Sequence, residues 1–141
     1  PRSTSSAASD VYKRQLNINS NLKIQLKKFS WLNVIRISAL TTKGLNKFSK
    51  TLNEVNSQLN NRIDTSDLNL YFRELWVAKP PHPFRGKRAK LKYVTQYDIS
   101  PPSFSFNLSS RIPKNYYSFI ENKLREEFGF KNVSLKIKYK T

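Results

Sequence analysis

Apolar residues recur at helical spacing just after the polar turn Thr41-Thr42-Lys43-Gly44. The positions involved step by three and four along the chain and are Leu45, Phe48, Leu52, Val55 and Leu59. Such a step places side chains on one side of an α-helix, so the pattern predicts a helix with a core-facing stripe. The turn before it is suited to capping that helix.

Two further helices, and part of another, follow from similar signals. One is predicted to begin at an N-cap of Thr65 or Ser66. It ends at Lys79-Pro80-Pro81-His82-Pro83 because proline cannot continue a helix. Its apolar side consists of Leu68, Phe72, Leu75 and Trp76. Another opens at Pro113 and closes at Gly129; its apolar side is Tyr117, Ile120, Leu124 and Phe128. The spacing of Leu22, Gln25, Leu26 and Phe29 predicts a partial helix nearer the start.

Strands are predicted where apolar and polar residues alternate. Such segments cover residues 90–97, 103–109 and 133–139. One side of the first consists of Leu91, Tyr93 and Thr95, and one side of the second consists of Phe104, Phe106 and Leu108. A turn-rich connection, Asp98-Ile99-Ser100-Pro101-Pro102, joins the first two. The short apolar run Val34-Ile35-Arg36-Ile37 predicts a buried strand.

The order of these elements predicts an α+β fold with two parts. A boundary near 60–64 separates residues 16–61, ending in a strand and a helix, from residues 62–141, which read helix-strand-strand-helix-strand. The second part is expected to form a three-stranded sheet with its helices on one face. Residues 1–15 are small, polar and aperiodic, and we interpret them as a sequencing artefact or a disordered leader and exclude them from fold reasoning. The sequence contains no Met, which indicates a processed, truncated or incompletely read chain.

A series of short motifs resembles the C-terminal part of the Der (EngA) family of bacterial GTPases. The order helix-strand-strand-helix-strand is that of a KH-like domain, and in Der it follows the end of the second GTP-binding domain. The matching pieces, in order, are Ile37-Ser38-Ala39-Leu40-Thr41 with Gly44, Arg62-Ile63-Asp64-Thr65 with Leu68-Asn69, Pro80-Pro81, Arg85-Gly86-Lys87-Arg88 with Lys90, Tyr93-Val94-Thr95-Gln96, Pro101-Pro102-Ser103-Phe104, and Pro113 with Tyr116, Asn122, Leu124-Arg125-Glu126 and Phe128. The resemblance covers about residues 22–141, and it is the series rather than any single piece that is specific.

This resemblance implies a cytoplasmic protein that uses GTP hydrolysis in assembly of the large ribosomal subunit. It also implies that Ser38, Ala39 and Leu40 contact guanine in the intact parent protein. The sequence contains no G-x-x-x-x-G-K-[ST] loop, and it lacks the magnesium-binding residues and the Asn-Lys-x-Asp motif of such a domain. GTP and magnesium are therefore expected in the parent only, and the fragment alone is expected not to be catalytic. Its implied partners are ribosomal RNA and the GTP-binding domains of the same parent chain.

Charge points to RNA independently of the resemblance. The net charge is +17 and the sequence pI is about 10.3, which favours a polyanionic partner. The candidate phosphate-contacting residues lie in one stretch without an acidic residue and are Lys79, Arg85, Lys87, Arg88, Lys90 and Lys92. The other interpretation of that stretch is an ordinary solvated loop and strand face. An ordinary KH domain clamps RNA with a GXXG loop, and the glycines here are not spaced that way.

Other chemistry is poorly supported. The sequence has no Cys and a single His, His82, which sits between prolines without a signalled partner and is interpreted as a loop residue. Tyr93, Tyr97 and Tyr116 could stack on bases, although packing in the core or at an edge is the preferred interpretation. No apolar run is long enough to span a membrane. The alternative to a Der-like fragment is a free-standing basic RNA-binding module of KH-like fold.

Overall fold

The computed structural model describes residues 5–141, with the side chains of residues 5–9, 23 and 28 left out of the description. These residues separate into two compact units, one ending at Asn33 and one covering Val34–Thr141. The first unit contains helix α1, Ser5–Gln25, which runs directly into a 3-10 turn at Leu26–Phe29. The partial helix expected near Leu22 is therefore present. Helix α1 begins within the segment that we excluded from fold reasoning, and residues 1–4 of that segment lie outside the described residues.

The second unit contains three helices and three strands. In chain order these are α2 (Leu45–Leu59), α3 (Thr65–Ala78), β1 (Leu91–Ile99), β2 (Pro102–Leu108), α4 (Lys114–Phe128) and β3 (Lys136–Lys140). From α3 onward the order is the predicted helix-strand-strand-helix-strand, which confirms the α+β fold. The sheet has the order β1-β2-β3, with β1 antiparallel and β3 parallel to β2.

The core lies between one face of the sheet and helices α3 and α4. Phe72 of α3 meets Phe106 of β2 edge to face, with ring centroids 4.9 Å apart. Tyr71 of α3 contacts Phe128 of α4, so the two helices also contact each other. The remaining buried side chains at this interface include Leu68, Phe104, Leu108, Ile120, Leu124 and Phe130. Burial of this apolar surface is the main force that holds the sheet and the helices together.

Strand β1 turns out to present the opposite face from the one that simple alternation suggested. Val94 and Gln96 are buried, whereas Tyr93 and Tyr97 are exposed on the open face of the sheet. The strand pairing shifts register between Leu91 and Tyr93 and again between Gln96 and Asp98. A bulge of this kind inserts an extra residue and redirects the side chains that follow.

Two amide side chains attach the free edge of β1 to its surroundings. Asn69 of α3 accepts from the Val94 N–H at 2.8 Å and donates to the Val94 carbonyl at 2.8 Å. Gln96 accepts from the Ile63 N–H at 2.8 Å and donates to the Asn61 carbonyl at 3.2 Å. The start of the KH-like half is thereby fixed to its sheet.

Several local expectations need correction. The N-cap of α3 is Asp64, whose carboxylate accepts from the Ser66 N–H and side chain, rather than Thr65 or Ser66. These hydrogen bonds to the charged form lower the pKa of Asp64. The N-cap of α2 is Gly44 in a left-handed conformation, without a side-chain cap. The C-cap of α4 is Gly129, as predicted.

The predicted strand at residues 34–37 does not form, and the apolar stripe of α2 is not buried. A strand needs a neighbouring backbone to pair with, and none pairs with this segment among the residues that the structure describes. Val34 and Ile37 are accordingly exposed. Leu45, Phe48 and Leu52 on α2 are also exposed, so the core-facing interpretation of this stripe is wrong for the described structure.

Candidate nucleic-acid interface

Part of the predicted basic stretch forms a tight turn between α3 and β1. The Phe84 N–H donates to the Lys87 carbonyl at 2.9 Å, and the Lys87 N–H donates back at 3.1 Å. The two central residues, Arg85 and Gly86, have φ of 51° and 76°, as turns of type I′ require. This turn brings Arg85, Lys87 and Arg88 together on the surface.

The backbone after this turn is held by hydrogen bonds, while the basic side chains of Arg88 and Lys90 remain in solvent. The buried Ala89 accepts at its carbonyl a 3.0 Å hydrogen bond from the indole N–H of Trp76. Lys90 exchanges two hydrogen bonds with Ser109, of 2.8 and 2.9 Å. A fixed backbone lowers the entropy that is lost when the side chains bind a partner.

All six candidate phosphate-contacting side chains are exposed. None of them takes part in the ion pairs found within the described residues, which join Lys123 to Glu126 and Arg125 to Glu121. Lys79 follows α3 and lines a groove with His82 and Tyr116. Of the six candidates, Arg85, Lys87 and Arg88 therefore belong to the turn or follow it directly, and Lys90 and Lys92 lie at the start of β1.

The guanine-contacting residues implied by the resemblance lie in a closed loop. The Ser38 N–H donates to the Lys43 carbonyl at 3.0 Å, and the Ser38 hydroxyl accepts from the Thr41 N–H at 3.3 Å. A Cβ on Gly44 would come within 2.3 Å of the Arg36 carbonyl oxygen, so glycine is required there.

The same loop holds no other part of a nucleotide site. Leu40 is 95% exposed, and Ala39 is also exposed. The sequence has no phosphate-binding loop, so these residues could contact only the guanine base and do not by themselves form a GTP site. The described residues also contain no cluster of metal-ligating side chains.

The three tyrosines considered for packing or base stacking lie in different environments. Tyr116 is buried against Trp76 and donates to the Lys79 carbonyl, so its packing interpretation is confirmed. Burial raises the pKa of Tyr116 to about 12. Tyr93 and Tyr97, in contrast, are exposed. Glu121 forms an ion pair of 2.8 Å with Arg125, which is itself buried.

The structure adds lysines to the surface that carries the exposed tyrosines. Strand β3 places Lys136, Lys138 and Lys140 on the open face of the sheet, and the Lys138 ammonium lies 4.9 Å from the centre of the Tyr97 ring. The alternation of Lys with Ile137 and Tyr139 in β3 was the available sequence signal. The sequence does not specify that β3 pairs with β2, which is what brings these lysines near Tyr97.

A compact α+β fold of this order, with a three-stranded mixed sheet and both helices on one face, defines a KH-like domain. Residues 62–140 match the family described as the KH-domain-like C-terminal region of EngA bacterial GTPase enzymes. The chain belongs to this family.

Curated relatives agree with this assignment. The chain is 35% identical over 121 residues to the GTPase Der of Chlorobium limicola. These aligned residues make up 84% of the chain and 28% of that relative. It is 32% identical over 125 residues to the GTPase Der of Salinispora arenicola, covering 88% of the chain and 27% of that relative. The chain thus spans just over a quarter of the length of these relatives. No helix in the described part of the chain is both long and apolar enough to cross a bilayer.

Proposed function

We propose that this chain supplies the RNA-contacting KH-like domain of a Der-type GTPase that acts in assembly of the large ribosomal subunit. The observation that carries the proposal is the anchored basic turn, in which Arg85, Lys87 and Arg88 are exposed and take part in no ion pair within the described residues. In a chain of net charge +17, such a turn attracts phosphates and fixes orientation without reading sequence.

The domain's second role is to couple this contact to the GTP-binding domains of the parent protein. Support comes from the Ser38-to-Gly44 loop, which keeps a closed geometry directly before α2. In the parent, Ser38, Ala39 and Leu40 would contact guanine, and GTP hydrolysis would be performed by the domain to which they belong. The alternative, a free-standing RNA-binding module, predicts that no phosphate loop lies upstream in the same reading frame of the gene.

The RNA contact is tested by filter binding of the full 141-residue chain to ribosomal RNA across a salt series. Replacing Arg85, Lys87 and Arg88 with Ala should weaken binding and reduce the slope of log K against log salt by about two to three. A matched variant, Lys43→Ala with Lys47→Ala and Lys50→Ala, removes the same charge from the α2 region. A flat salt response, or an equal loss in both variants, would contradict the proposal.

A further inference from the structure

The face of the sheet that points away from α3 and α4 carries aromatic, polar and basic side chains, and Asp98 lies near the end of β1 opposite Ser103. Strand pairing aligns Tyr93 with Asn107 and Lys140, and it aligns Thr95 with Ser105 and Lys138. Together with Tyr97, these side chains line one groove of about 330 Å³. No carboxylate lines this groove, so its electrostatic character is positive.

The two tyrosines of this groove expose their rings to solvent. Tyr93 is 49% exposed and Tyr97 is 46% exposed, and both lie within strand β1 rather than at its ends. They are four residues apart on one strand, which separates them by about 13 Å. The Lys138 ammonium lies over the Tyr97 ring, so a ring and a positive charge are presented side by side.

The floor of the groove holds a polar atom without a partner. Ser105 is only 5% exposed, and its hydroxyl is buried and makes no hydrogen bond. A buried polar group without a partner costs free energy, and a ligand that displaces the side chains above this hydroxyl and hydrogen-bonds to it would recover that cost. Asn107 lies beside it with further donor and acceptor capacity.

We propose that this open sheet face binds single-stranded RNA, with bases stacked on Tyr93 and Tyr97 and phosphates held by Lys138 and Lys140. Aromatic rings on an exposed sheet beside lysines are the chemistry by which proteins bind unpaired bases. An acidic peptide would use the lysines but not the rings, and a duplex keeps its base faces stacked inside. The surface is separate from the basic turn, so it extends the proposed function and is tested separately from it.

The test is fluorescence anisotropy of the full chain with a labelled 12-nucleotide oligo(U) and, separately, a labelled 12-base-pair RNA duplex. Tyr93→Ala with Tyr97→Ala should weaken oligo(U) binding by at least about 25-fold and change duplex binding by less than about twofold. Tyr93→Phe with Tyr97→Phe keeps both rings and should retain affinity for oligo(U) within about twofold. The matched control, Tyr12→Ala with Phe48→Ala, removes two exposed aromatic rings elsewhere and should have no effect.

A further variant separates ligand binding from folding. Ser105→Ala removes the unpaired hydroxyl, so it should leave the unfolding midpoint unchanged or raised while weakening oligo(U) binding a few-fold. The proposal is overturned if the Ala and Phe double variants lose affinity equally, or if oligo(U) and duplex weaken together. It is also overturned if the chain does not bind oligo(U) and the tyrosine variants instead abolish self-association in sedimentation, since the face is then a protein interface. Loss of binding through the Arg85, Lys87 and Arg88 variant alone would support the basic turn and not this face.

Discussion

Arg125 should be the most costly single polar residue to replace in the KH-like half. Arg125 belongs to helix α4 and is only 7% exposed. One terminal nitrogen donates to the carbonyls of Phe130 and Val133 at 3.1 and 2.7 Å. Its other nitrogens donate to Glu121 at 3.2 and 2.8 Å. Arg125 thereby fixes the loop that leads from α4 to β3.

The magnitude follows from the two buried carbonyl contacts. Hydrogen bonds to charged groups contribute about 1.5–3 kcal/mol each, and Arg125→Met leaves both carbonyls without this donor. For the two bonds together, the free energy of unfolding should therefore fall by about 3–6 kcal/mol. Glu121→Gln should cost less than about 1 kcal/mol, because the Glu121 side chain is 38% exposed and its pairing is screened by water. Arg125→Lys should recover no more than roughly half of the loss, since an ammonium lacks the planar fork.

Urea unfolding of the full chain, followed by circular dichroism and tryptophan fluorescence, measures these differences. The matched control is Lys123→Met, which breaks the exposed 2.6 Å pair with Glu126 and should change stability by less than about 1 kcal/mol. If Arg125→Met costs no more than Lys123→Met, the reasoning from buried carbonyls is wrong.

Three other outcomes are expected. Asn69→Ala should lower the free energy of unfolding by about 1–3 kcal/mol because it leaves the Val94 N–H and carbonyl without their side-chain partner, measurable by urea unfolding. Gly44→Ala should make the amides of the 38–44 loop exchange with solvent at least about tenfold faster, because the new Cβ would meet the Arg36 carbonyl at 2.3 Å. Stability should fall between pH 10 and about 12, where the unfolded chain ionises its tyrosines while buried Tyr116 stays neutral, and Tyr116→Phe should make this fall shallower in pH-dependent unfolding.

Each outcome has a control in the same chain. Asn122→Ala on the exposed side of α4 should leave stability within about 0.5 kcal/mol. Gly86→Ala carries the left-handed strain but no clash, since nothing lies within 4 Å of the added carbon, so it should affect exchange less than the Gly44 variant. For the alkaline fall, the control is the unaltered chain measured over the same pH range. Equal effects in a variant and its control would contradict the corresponding explanation.

Helix positions and the core were predictable from the sequence because each rests on local spacing. Leu68, Phe72 and Trp76 recur at helical steps and are buried, and Phe104 and Phe106 alternate with polar residues as a half-buried strand requires. These signals depend only on which side of one element faces water. The element order followed from them, whereas the family resemblance also needed the series of short motifs.

The faces of β1 and the role of Arg125 could not be predicted in the same way. The bulge between Leu91 and Tyr93 depends on pairing with β2, and it places Tyr93 on the opposite side of the sheet from Leu91. In the sequence, Arg125 is one of several charged residues in a helix. The carbonyls that accept its hydrogen bonds belong to the loop beyond Gly129, and the helical pattern does not indicate them. The expected strand at residues 34–37 failed for a related reason, since a strand exists only through its neighbours. The site on the open face likewise depends on the pairing of β2 with β3, which the local sequence pattern does not predict.

The attachment of Asn69 to β1 has a consequence for the protein in concentrated solution. Exposed sheet edges recruit other chains by offering free backbone donors and acceptors, and this is a common route to aggregation. At Val94 both groups are already bonded to an amide side chain, so an incoming strand finds no partner there. At the opposite border β3 carries Lys136, Lys138 and Lys140, and two copies approaching along it would repel each other. An amide at one edge and positive charge at the other therefore both oppose extension of the sheet by a second chain, while its ring-bearing face stays open.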